Sequence, residues 1–197
     1  PAQLPPQSKT TTVGEIITIE VRGPLTTGYT LDPEVVVLGD GVASGNSEND
    51  EITYEAHAQG VTRLVYTMTN DDGSAILVGT VDVAVSRLGN NAPVATDASF
   101  RMESDDIESP QTFDLSAYVS DDDDGDEIQL IQVDAWDAEV GLAAQDDFGN
   151  LSFTFKPNHA GFHYVTYVVT DHNGGYGVAQ VEIEVVDLSA VATWGNI

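Results

Sequence analysis

The chain has 197 residues, 33 of them acidic and 6 basic, for a formal net charge of -27, and it has no cysteine. Such a surface repels nucleic acid and anionic lipid and attracts cations, while the missing thiols exclude disulfide staples, thiolate metal sites and cysteine catalysis. A 41% share of hydrophobic residues lies outside the disordered range, and the length allows one large domain or two of about a hundred residues each.

The chain opens on a polar, proline-rich stretch from Pro1 to Thr12 with no visible secretion signal, and a start at Pro1 without methionine reads as a piece of a longer chain. Short alternating runs follow: Ile16 to Val21, Val61 to Met68 and Val78 to Val85, then Gln129 to Val133, Leu151 to Phe155, Phe162 to Val169 and Val178 to Val186. Threonine, valine, isoleucine and tyrosine dominate them, and Gly, Asn or Asp clusters separate them, which predicts strands at sandwich spacing. No segment keeps a helical period, and no run of eighteen apolar residues exists, so no membrane insertion is expected.

The second half repeats the first. At an offset of 101 residues Gly60 aligns with Gly161, Tyr66 with Tyr167, Thr69 with Thr170, Asn70 with Asp171 and Gly73 with Gly174. The last hairpin of one unit is therefore predicted twice. Leu88 to Val94 lies between the units, short and stiffened by Pro93. This divides the chain into units over 1–88 and 89–187, with 188–197 left as a tail or the opening of a further domain. The charge divides unevenly, with twelve acids and four bases over 1–88 against twenty-one and two over 89–197.

The run Asp121-Asp122-Asp123-Asp124-Gly125-Asp126 is the sharpest local signal. Carboxylates spaced two apart on a tight turn can direct several oxygens at one hard cation. An EF-hand loop would need a glutamate where Ile131 stands, so that template is rejected. The alternative to a cation loop is a solvated acidic turn. A second acidic group, Glu103, Asp105, Asp106 and Glu108 with Asp187, reads either as half of a further site or as a solvated turn. Among the histidines, His57 and His159 fall near matching turns and read as turn residues, not zinc ligands. Trp136 is the best candidate for an exposed ligand platform, although a packed tryptophan is the commoner outcome in a sandwich. No phosphate loop, paired-histidine zinc helix or nucleophile elbow is present, so no enzyme is expected.

Asn90-Asn91-Ala92-Pro93-Val94-Ala95 opening a unit, the acidic run at its middle and Tyr167 to Gly175 near its end resemble the bacterial immunoglobulin-like and cadherin-like tandem repeats of giant RTX-type surface adhesins. The resemblance covers 89–187, and 1–88 only through its last strands. It implies an all-β chain of two tandem immunoglobulin-like β-sandwich domains arranged end to end, secreted or held at a bacterial cell surface. It further implies a structural extender, monomeric, whose partners are neighbouring repeats of the same chain; a carbohydrate- or protein-binding module, with a glycan or protein receptor, is the alternative. The cofactor it implies is Ca2+ at the domain junction. Asp121, Asp123, Asp126 and Asp171 would be its ligands, Asn90 and Asn91 would add oxygens, and Glu15 would face the same junction. Arg87 and Gly89 stand where cadherin linkers carry an aspartate and an asparagine.

Overall fold

The computed structural model describes residues 2–122, 127–143 and 149–189. Among these, strands dominate and the only helical pieces with an assigned range are the 3-10 turns Pro24–Thr26 and Ser116–Tyr118. The chain divides into two compact units, one of Pro1–Asn90 with Gly174–Tyr176, the other of Asn91–Asn173 with Gly177–Ile197.

In the first unit the described strands are β1 (Ala2–Gln3), β2 (Gln7–Thr12), β3 (Ile16–Glu20), β4 (Tyr29–Leu31), β5 (Val36–Leu38), β6 (Val42–Asn46), β7 (Glu51–Glu55), β8 (Gly60–Asn70) and β9 (Ile76–Ser86). One sheet is built on the long β8–β9 hairpin, with β4 and β5 pairing β8, and β1 and β2 pairing β9. The facing sheet runs β3-β7-β6. Alternation decides which side chains meet between them: Leu64, Tyr66 and Met68 from β8 and Val81, Val83 and Val85 from β9 are buried with Ile19, Ile52 and Tyr54 of the facing sheet.

The second unit has β10 (Val94–Ala95), β11 (Ala98–Ser104), β12 (Gln111–Asp114), β13 (Val119–Ser120), β14 (Gln129–Ala135), β15 (Ala138–Leu142), β16 (Ser152–Pro157), β17 (Gly161–Thr170) and β18 (Tyr176–Asp187). Its sheets run β11-β18-β17-β14 and β12-β16-β15, with β10 and β13 forming a short ladder of their own. Phe153 and Phe155 of β16 pack against Val165, Tyr167 and Val169 of β17 and Val181 and Ile183 of β18. The sequence repeat is a structural one. β8 and β17 each open on a left-handed glycine, Gly60 at φ 127° and Gly161 at φ 111°, a conformation that side-chain-bearing residues avoid.

One topological feature recurs in both units. β2 runs parallel to β9, from Gln7 opposite Val81 to Thr12 opposite Ser86. β11 runs parallel to β18, from Ala98 opposite Val181 to Ser104 opposite Asp187. A first strand parallel to a last strand places the start of each unit at one pole and its end at the other.

Candidate functional site

The acidic residues singled out in the sequence distribute over the poles of the two units. In the second unit, Val94 of β10 lies opposite Ser120 of β13 in an antiparallel pair. The chain just before Val94 and the chain just after Ser120 therefore lie side by side, and they hold Asn91 and Asp121. Thr170 ends β17 opposite Gln129 of β14, so Asp171 leaves its sheet at the same N-terminal pole. Gly177 locks the segment there: a methyl group on it would come within 2.8 Å of the Pro93 carbonyl and 3.2 Å of Val169. Asp171 is 2% exposed, and its Oδ1 accepts a hydrogen bond from the Asn173 amide at 2.8 Å. The following residue, His172, is held at φ 63°. Three of the seven expected calcium ligands, Asn91, Asp121 and Asp171, thus gather at this pole. Asp123 and Asp126 lie outside the described residues.

Asn90 and Glu15 belong to the first unit. Glu15 sits in the turn between β2 and β3, whose Val13 amide donates to the Ser86 carbonyl at 3.0 Å and whose Glu15 carbonyl accepts from Ala56 at 3.0 Å. That places Glu15 at the pole where β9 ends.

The second acidic group lies at the C-terminal pole of the second unit, because Ser104 is opposite Asp187. Its charge is partly absorbed locally. Arg101 pairs with Glu103 at 3.2 Å, Asp106 Oδ1 accepts from the Glu108 amide and Asp187 Oδ1 accepts from the Ser189 amide and hydroxyl. These are turn-closing bonds.

Also at this pole is a constellation that sequence spacing does not show. Asp137, in the turn between β14 and β15, receives two histidine rings on its two oxygens: His163 Nδ1 at 2.7 Å from Oδ1 and His159 Nε2 at 2.8 Å from Oδ2. His159 is a turn residue, as expected, yet its ring is aimed at a carboxylate. The far nitrogens face main-chain carbonyls, His163 Nε2 at 2.8 Å from the His159 oxygen and His159 Nδ1 at 2.6 Å from the Ala160 oxygen. The His163 side chain is 0% exposed, with Phe155 set edge-on against its ring at 5.6 Å. Partial burial works to raise the Asp137 carboxyl, and the hydrogen bonds and charges of His163 and His159 outweigh it, holding the carboxyl below its ordinary range. The Ala160 carbonyl and then Asp137 raise the His159 ring above its ordinary value, against a smaller desolvation effect. The missed signal was the pair His159 and His163 bracketing Gly161; nothing in the spacing pointed to Asp137, brought in because Ala138 pairs with Pro157.

Trp136, beside this group, is 74% exposed. The packed tryptophan that is commoner in sandwiches does not form here: the residue falls in the tight β14–β15 turn, where neither sheet can cover it.

The family match falls in the second unit, whereas the likeness to solved structures runs over nearly the whole chain. Residues 90–184 match the family model described as a bacterial Ig domain. No curated protein matches the chain. The D00-D0 domain of intimin is 15% identical with a TM-score of 0.34, over 90% of this chain and 96% of that one. Drosophila N-cadherin EC1-4 is 16% identical with a TM-score of 0.34, over 92% and 48%. An endo-fucoidan hydrolase of glycoside hydrolase family 107 is 15% identical with a TM-score of 0.34, and the chain spans 28% of its length. At these values no activity or ligand passes from those proteins to this chain. The bacterial Ig domain match covers β10 to most of β18, and so contains Asn91, Asp121 and Asp171 as well as Asp137, His159 and His163. Among the described residues no helix is long and apolar enough to cross a membrane.

Proposed function

We propose that this chain is a non-enzymatic extender, two repeats from the stalk of a large bacterial surface adhesin, stiffened by calcium where the repeats meet. The observation that carries the reading is the parallel pairing of first and last strands in each unit. A domain whose termini lie at opposite poles lengthens a chain by its full height; β18 spans 12 residues, or about 40 Å at ~3.3 Å per residue. The bacterial Ig domain match supports the setting.

The donor set fits a hard divalent ion. Asp121, Asp123, Asp126 and Asp171 offer carboxylate oxygens, Asn90 and Asn91 offer amide or main-chain oxygens, and Glu15 adds another carboxylate; none is a soft ligand. The ion's contribution would be charge neutralisation in a region where carboxylates otherwise repel. The chain's own contribution would be placement: the β10–β13 ladder brings the segment before Val94 alongside the segment after Ser120, and Asp171 is buried. Calorimetric titration of the chelator-stripped chain with calcium at moderate salt tests the ion. Saturable binding that Asp121→Ala with Asp123→Ala abolishes is expected; binding that survives the double substitution overturns it. Small-angle scattering tests the extender, which requires an elongated particle and is refuted by a compact one.

The 74% exposure of Trp136 favours a second reading, a carbohydrate-binding module that presents an aromatic platform. A glycan array on which the chain binds and Trp136→Ala does not would select it.

A further inference from the structure

We infer that Asp137, His159 and His163 form a binding site for a borderline divalent cation of the Zn2+ class, separate from the calcium reading. One ligand atom from each lies within 4.8 Å of the others. The argument rests on where the protons can be. A main-chain carbonyl only accepts, so the N–H of each ring belongs on the nitrogen that faces one, His163 Nε2 and His159 Nδ1. In the neutral rings this leaves His163 Nδ1 and His159 Nε2 as lone pairs. Both are aimed at Asp137, at 2.7 and 2.8 Å from its two oxygens. A lone pair against a carboxylate is repulsive, and a cation held between the two rings and Asp137 relieves it.

Two protons can supply that positive charge, making both rings imidazolium. The ring centroids are 4.4 Å apart, and two cations at that separation oppose each other. A single divalent ion supplies the same charge at one point. On binding, each ring keeps its N–H on the carbonyl-facing nitrogen, two metal–nitrogen bonds and one metal–carboxylate bond form, and any proton held between ring and carboxylate leaves to solvent. The ligand atoms then open from hydrogen-bond distance to about 3.3 Å, the edge of a tetrahedron with ~2.05 Å bonds.

The surroundings have the features of such a site. Each ligating histidine donates its other N–H to a carbonyl, which fixes ring orientation and tautomer. His163 is wholly buried and braced by Phe155, whereas the side chains of Asp137 and His159 are 29% and 52% exposed. One ligand is therefore rigid and two face the approach path. Two imidazoles and one carboxylate suit zinc, nickel or copper and not calcium. Three protein ligands leave a tetrahedral ion one position for water.

The test uses the whole chain, stripped with a chelator and held in excess calcium so that hard-ion sites are filled. One equivalent of Zn2+ is added and the histidine ring resonances are followed by NMR. Shifts at His159 and His163 with His57 unmoved are expected. His159→Gln and Asp137→Asn, both at partly exposed positions, should each weaken zinc binding at least about tenfold without altering the circular dichroism spectrum. If one equivalent of zinc leaves the His159 and His163 resonances in place, or if both variants bind as the parent does, the site is refuted. Loss of calcium binding in Asp121→Ala with zinc binding retained would separate the two sites.

Discussion

Gly79 lies directly opposite Tyr66 in the β8–β9 ladder, and a methyl group there would stand 2.1 Å from the Tyr66 ring. Tyr66 is itself 2% exposed and belongs to the first unit's core, so displacing its ring disturbs that packing. Gly79→Ala should destabilise the first unit by about 1–3 kcal/mol, the usual cost of overpacking, read as a fall in the denaturant midpoint; an unchanged midpoint would show that the ring yields. Asp114 offers a residue-scale test of pH. Its hydrogen bonds from the Ser116 hydroxyl and then the Ser116 amide hold its carboxyl below the ordinary range. A depressed carboxyl stabilises the fold above the unfolded value and loses that contribution as pH falls through the folded value. Ser116→Ala should therefore raise the Asp114 titration midpoint and bring acid destabilisation to a higher pH, measured by carboxyl NMR across the acid limb. At this scale the sequence is least legible. Asp171 can be picked out because it follows a strand and aligns with Asn70, but Asp137 cannot, since its partners sit 22 and 26 residues away in another hairpin.

Elements were legible in proportion to their apolar alternation. β8, β9, β17 and β18 show it along most of their length and were placed within two residues or so at either end. β2 was not. Gln7 to Thr12 has no apolar residue, and its burial pattern is mixed; it is a strand because β9 offers a free ladder edge, and backbone pairing does not read side chains. β11 is the exception to the rule: Ala98, Phe100 and Met102 alternate with Ser99, Arg101 and Glu103 behind Asp97, a short strand signal that the longer apolar runs overshadow. The dependence can be tested from the other side. A chain lacking residues 1–12 loses the six β2–β9 register positions and the buried Leu4. At about 1 kcal/mol per ladder hydrogen bond the first unit should lose roughly 4–6 kcal/mol. Calorimetry should show its transition lowered or gone, and a first transition that stays in place would mean that β2 is ornamental.

For the molecule as a whole, charge is the dominant global property. Residues 89–197 hold twenty-one acids and two bases, and 1–88 hold twelve and four. Self-repulsion of this kind is screened over about 10 Å at 0.1 M salt. Raising monovalent salt from low to moderate should therefore raise the melting temperature of the second unit more than that of the first, resolved by calorimetry as two separately moving transitions. Equal shifts would indicate that local pairs such as Arg63 with Asp82, joined at 2.9 Å, already neutralise what matters.

The parallel pairing of β11 with β18 also decides how the second unit answers a pull on its two ends. Tension applied through Ala98 and Asp187 runs along both strands in opposite senses, so the seven register positions from Ala98–Val181 to Ser104–Asp187 slide against one another and must yield together. Tension applied instead across the β17–β18 hairpin would open its ladder one rung at a time. In single-molecule pulling the end-to-end direction should give the higher rupture force by a clear margin, and moving the attachment points to the hairpin should remove that margin. If the chain is the extender proposed above, this anisotropy would make each unit strong along the one direction in which it carries load.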